Sequence, residues 1–146
     1  VGSEMCIRDR TYGYERVDAE ITGFTLAAIH GGSFDVGFTY CCSVDDAGHV
    51  YGLMGDEYRD AIRSVDQHVE RLVEAVNKRA NEHNEDWLVI VTTDHGHIDE
   101  GGHGGSSERE RESWVVAWSP TGALPAWPSQ IEPHRLASYI LAERES

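Results

Sequence analysis

Basic residues are scarce in this chain of 146 residues: Lys and Arg number 12 against 26 Asp and Glu, a formal charge of −14. The few that occur form no stripe able to follow a phosphate backbone, which excludes a nucleic-acid duplex as partner. No apolar run approaches the roughly 18 residues a membrane-crossing helix needs, and no apolar signal centre stands near the start. Three cysteines, Cys6, Cys41 and Cys42, give no even disulfide framework and no C-x-x-C metal or redox spacing. Cys41 and Cys42 read as small core residues on opposite faces of a strand. With 40% hydrophobic and 26% charged residues, what remains is the composition of one soluble globular domain.

Residues 1–10, VGSEMCIRDR, follow neither helical nor strand periodicity. MCIRDR resembles translated sequencing-adaptor read-through, so the segment is set aside as a non-native leader. Residues 11–146 are then expected to be the C-terminal part of a single domain, with its beginning upstream.

Periodicity divides the rest. Val17, Ile21, Phe24, Leu26 and Ile29 fit a helix ended by Gly31-Gly32. FDVGFTYCCSV, residues 34–44, reads as a buried strand. From Gly55-Asp56 to about Asn81, Tyr58, Ile62, Val65, Val69, Leu72 and Val76 recur at steps of three and four, an amphipathic helix. WLVIVTT, residues 87–93, suits a central parallel strand. SWVVAW, residues 113–118, forms a third strand, three prolines (Pro120, Pro125, Pro128) keep the next stretch irregular, and Arg135 to Arg144 makes a last helix. Two strands joined by a long helix are most simply parallel with a right-handed crossover. The expected fold class is therefore α/β, a truncated doubly wound, mainly parallel sheet.

Against that background one stretch stands out. TTDHGHIDEGGHGG, residues 92–105, packs three histidines, two aspartates, a glutamate and five of the chain's 15 glycines into fourteen positions. In a doubly wound sheet, ligands bind beyond the carboxyl ends of the strands, and here both long strands run into Asp/His groups: Asp45-Asp46-Ala47-Gly48-His49 after the first, Asp94-His95-Gly96-His97 after the second. Carboxylate oxygen and imidazole nitrogen suit Zn²⁺, although Mn²⁺ and Fe²⁺ accept similar donors. Asp45 and His49 are spaced to converge on one ion, Gly96 can turn the chain so that Asp94 and His95 both reach metal, and His103 sits in GGHGG where backbone can come close. These five residues, Asp45, His49, Asp94, His95 and His103, are the candidate metal ligands.

Their neighbours are given plainer readings. His97, Asp99 and Glu100 read as loop residues or partners of the ligands; His30, His68, His83 and His134 as ordinary surface or satisfied histidines; Asp46 as a turn residue. Thr22 and Thr25 belong to a helix, Thr92 and Thr93 to a strand end, and Ser106 or Ser107 caps the turn before Glu108 and Glu110.

VDDAGHVYG followed by TTDHG and GGHGG, with a helix containing EYRDAIRSVDQHV between, resembles the alkaline phosphatase superfamily, nearest its type I phosphodiesterase and nucleotide pyrophosphatase branch. The likeness spans about residues 16–118. It implies a hydrolase of phosphate esters with two divalent ions, usually zinc, and a Thr or Ser nucleophile. By the same likeness Asp45, His49 and His103 hold one ion, and Asp94 and His95 the other. A small phosphate-ester or nucleotide-like substrate is implied, and an extracytoplasmic location is favoured. The family's nucleophile and a further metal-binding Asp normally precede these motifs, and residues 11–44 hold no equivalent, Thr11 included. The chain is thus expected to be a fragment with little activity alone. Phosphonate hydrolases and phosphoethanolamine transferases of the same superfamily, or a non-catalytic metal-binding module, are the competing readings.

Overall fold

The computed structural model describes residues 13–124 and 126–144. The leader, Cys6, Thr11 and Pro125 lie outside the described residues. Helix α1 (Tyr14–Gly31) is followed by α2 (Ser43–Tyr51), the long α3 (Asp56–His83), strand β1 (Val89–Thr92), the single turn α4 (Glu108–Arg111), strand β2 (Val115–Trp118), a 3₁₀ turn (Pro133–Arg135) and α5 (Leu136–Arg144).

Helix α1 ends where the glycine pair was expected to end it. Gly32 adopts φ 60°, and its N–H reaches Ala28 O, closing the last turn as a left-handed cap. Helix α3 runs to His83 and stops at Asn84, also left-handed at φ 53°. The packed core lies between these helices and the strands. Ile29, Ala75 and Val76 are buried, with Leu26, Phe34, Leu72, Trp87, Val89 and Trp118 against them. Phe34 meets Trp87 edge to face at 5.8 Å. Arg79 ties the group together, donating to Glu85 and to His30 O, while Trp87 Nε1–H donates to Glu85 Oε2 at 2.9 Å.

Two expectations from sequence are corrected. Residues 34–42 form no strand, and the chain turns helical at Ser43, so Asp45 and His49 stand on a helix rather than after a strand. The apolar run is misleading because its middle is not buried: Val36 is 49% and Phe38 90% exposed. What decides the local structure is Asp18, fully buried on α1. Its carboxylate accepts from the N–H groups of Cys42 and Ser43 at 2.9 and 3.0 Å, donors that the start of a helix leaves without partners. Asp45 and Asp46 in the first turn of α2 favour the same end of the helix dipole. Cys41 and Cys42 accordingly lie in the segment leading into α2, not on two faces of a strand.

The second correction concerns the sheet. The described residues hold two strands, and they are antiparallel, Val89 opposite Trp118 and Thr92 opposite Val115. The parallel arrangement rested on a strand at 34–44; without it, β1 and β2 are joined by the glycine-rich loop and the single turn α4, too short to be a helical crossover. The observed architecture is helices with a small two-stranded sheet. Among the described residues no helix is long and apolar enough to cross a membrane.

A candidate metal centre

Helix α2 presents Asp45 and His49 one turn apart, on the same face. The loop after β1 delivers His95, His97 and His103 to that face. Asp45 Oδ1 lies 3.6 Å from His49 Nε2, 4.0 Å from His95 Nε2, 2.8 Å from His97 Nε2 and 3.5 Å from His103 Nε2. One carboxylate oxygen is thus ringed by four imidazoles. Their rings touch one another: His95 stacks on His103 with centroids 3.7 Å apart, and His49 lies 4.9 Å from His103.

Backbone hydrogen bonds fold the loop on itself and tie it to the residue pair that follows α2. Leu53 N–H donates to Asp99 O, Ile98 N–H to Gly102 O, and Gly101 N–H to Ile98 O. Gly101 takes φ +90°, and a Cβ there would stand 2.1 Å from Gly48 O. Only glycine lets the loop lie this close to α2. Behind the loop, Ser107 caps α4 in a capping box with Glu110, whose carboxylate also accepts from Gly105 N–H. Arg109 pairs with Asp99 at 2.7 Å.

The arrangement suits a cation. Two donor atoms each about 2.0–2.2 Å from a tetrahedral ion stand about 3.3–3.6 Å apart, and the separations of Asp45 from His49 and His103 match that spacing. Asp45, His95, His97 and His103 each offer one donor atom, all within 4.8 Å of one another. Burial, then the neighbouring His95, pushes His103 below the usual histidine range, which favours the neutral ring a ligand requires. Around the cluster, burial followed by Cys42, Asp94 and Asp45 pushes the Tyr40 phenol up, and burial followed by Asp45 does the same for Tyr58. Both remain uncharged hydroxyls beside the carboxylates.

Of the five residues singled out by sequence, Asp45, His49, His95 and His103 share this cluster. Asp94 stands at its edge: its Oδ1 is 3.7 Å from His95 Nε2, and its side chain is 64% exposed. His97, read from sequence as a loop residue or a partner of the ligands, is the most buried of the clustered histidines, its side chain 8% exposed, and touches Asp45 directly. Asp18, which anchors α2, was missed altogether; an isolated acid on a helix carries no signal of a partner 24 residues away. His68 differs from its sequence reading, since both ring nitrogens are buried without a hydrogen-bond partner. Thr92 donates to Trp114 O and Thr93 to His95 O, while Thr22, within α1, donates to Asp18 O.

The family profile described as type I phosphodiesterase / nucleotide pyrophosphatase matches residues 8–114. The catalytic subunit of mouse GPI ethanolamine phosphate transferase 3 is 32% identical over 114 residues, covering 78% of this chain and 10% of that protein. The human counterpart is 30% identical over 116 residues, covering 80% and 10%. GPI ethanolamine phosphate transferase 1 of Yarrowia lipolytica is 36% identical over 81 residues, covering 56% and 9%. The chain spans about a tenth of the length of these curated relatives. No solved structure matches.

Proposed function

Because the chain belongs to the type I phosphodiesterase / nucleotide pyrophosphatase family of the alkaline phosphatase superfamily, we propose that it forms the metal-binding part of a domain that hydrolyses phosphoric esters. Asp45, His49 and His103 hold one divalent ion, and Asp94 and His95 contribute to a second, zinc being the first choice for this donor set. The nucleophilic Thr or Ser and a further Asp come from sequence outside these residues. On this reading β1 and β2 belong to a larger sheet of the alkaline phosphatase-like kind.

The observation that carries the reading is the ring of imidazoles about Asp45 Oδ1. Bound divalent ions supply positive charge that polarises phosphoryl oxygens and steadies the attacking and leaving oxygens of an in-line displacement. The protein's share is arrangement. Helix α2 fixes Asp45 and His49 in register, the loop brings its histidines to them, and the Gly101 turn holds the loop against the helix. A chain of charge −14 would otherwise repel a phosphate ester.

A second reading, transfer of ethanolamine phosphate to an alcohol instead of hydrolysis by water, is supported by the names of the relatives. The two differ in the acceptor, which metal ligands do not select. Zinc titration of the chain tests the common part: one tight and one weak equivalent are expected, with His103→Ala abolishing the tight one. Two equal sites, or none, would overturn it. Assay of the complete gene product separates the readings, with phosphate monoesters, diesters and nucleotides in water set against an ethanolamine phosphate donor with an alcohol acceptor.

A further inference from the structure

His95 and His97 are two residues apart, both aim Nε2 at the same carboxylate oxygen, and their other nitrogens face opposite chemistry. His95 Nδ1 lies 3.1 Å from Gly96 O. A carbonyl only accepts, so Nδ1 carries the proton and Nε2 keeps its lone pair. Donating the second ring N–H to a backbone carbonyl is the usual arrangement of a ligating histidine. In His97 the order is reversed. Gly102 N–H donates to His97 Nδ1 at 3.2 Å, so Nδ1 is the acceptor and the ring proton sits on Nε2, 2.8 Å from Asp45 Oδ1.

That distance is a hydrogen bond and is shorter than the about 3.3–3.6 Å between two ligands of one tetrahedral ion. The separations from His49, His95 and His103, 3.5 to 4.0 Å, are not hydrogen bonds. A carboxylate oxygen has two lone pairs, so Asp45 Oδ1 can accept from His97 and still face an ion. Space is set for this too: a Cβ on Gly48 would stand 3.1 Å from His97 Cε1, so the imidazole is seated against the backbone of α2, one turn from Asp45.

We propose that His97 is a positioning residue, which donates from Nε2 to Asp45, fixes the direction of that carboxylate and binds no metal itself. The role rests on the reading of Asp45 as a ligand. It separates His97 from the other three histidines of the cluster, although its nitrogen is the nearest of the four to Asp45 Oδ1.

Two measurements on the full 146-residue chain test it. Long-range ¹H–¹⁵N spectra of the metal-free chain should show His97 protonated at Nε2 and bare at Nδ1, and adding Zn²⁺ should leave that proton in place. Zinc titration of three variants should then split. The amide nitrogen of His97→Gln reaches the position of Nε2 and can donate, so affinity stays near that of the parent. His97→Asn reaches only as far as Nδ1, and His97→Ala not at all, so both weaken affinity by about 10–100-fold, with circular dichroism unchanged. Loss of the Nε2 proton on adding Zn²⁺, or a loss in His97→Gln equal to that in His97→Ala, would overturn the assignment. If the parent binds no zinc, the metal reading itself fails, and the metal-free spectrum still decides the hydrogen bond: a ring protonated at Nδ1 refutes it.

Discussion

Asp18 and Ser43 are joined by a hydrogen bond from the Ser43 N–H to Asp18 Oδ2 at 3.0 Å, alongside the one from Cys42 N–H to Oδ1 at 2.9 Å. A fully buried carboxylate on α1 thereby serves as the N-terminal cap of α2, which has no side-chain cap of its own. The helix it starts carries Asp45 and His49, so the position of two site residues depends on an acid far from them in sequence.

Asp18→Ala should therefore destabilise the chain by on the order of 3 kcal/mol, the scale of losing charge-assisted bonds and leaving buried donors unmet. Asp18→Asn should retain part of this, since one oxygen acceptor survives. Urea denaturation with a zinc titration on each variant checks both effects. Unchanged stability in Asp18→Ala would show that α2 is held by other means.

His68 offers the opposite sign. With both ring nitrogens buried and unpartnered, replacing it by Leu should raise stability by about 1 kcal/mol, because an unmet polar group costs more than an apolar one of similar size. The denaturation midpoint should move up without a change in slope. A lower midpoint would mean that the ring has a partner in solution.

Gly101→Ala should weaken both loop and site. A side chain at φ +90° is strained, and its Cβ would meet Gly48 O at 2.1 Å, so the loop must lift from α2. A cost of about 1–3 kcal/mol is expected from the backbone alone. Zinc affinity should fall more than it does for Gly104→Ala, whose Cβ would meet nothing within 4 Å although its φ is also positive. Equal effects of the two variants would remove the close approach as the cause.

Acid should act through Glu85. Its hydrogen bond from Arg79, followed by that from Trp87, holds its carboxyl below the usual glutamate range. A carboxylate with a depressed folded pKa stabilises the fold above the unfolded pKa, about 4.3, and that contribution is lost as pH falls through the folded value. Stability measured by urea from pH 6 downward should decline more steeply in the parent chain than in Glu85→Gln. Parallel curves would show that this pair contributes nothing to acid sensitivity.

How much of this was legible beforehand differs from element to element. The long helix was readable because Tyr58, Val65, Val69, Leu72 and Val76 repeat with helical period, and α1 because Gly32 closes it. The capping box of Ser107 and Glu110 follows from local spacing. Residues 34–44 misled because an apolar run gives composition without burial, and the partner that made Ser43 helical lies on another helix.

The sequence by itself determined the helices α1, α3 and α5, the family, and the gathering of aspartates and histidines into two short motifs, because period and spacing are local properties that survive without coordinates. Only the tertiary structure decided that α2 presents Asp45 and His49, that β1 and β2 run antiparallel, and that His97 points its Nε2 at Asp45. Each of those depends on a hydrogen bond or backbone approach between segments distant in the chain, between Asp18 and Ser43, Val89 and Trp118, Asp45 and His97. Such pairings are set by the three-dimensional path of the backbone, which residue spacing along a single chain does not encode in readable form.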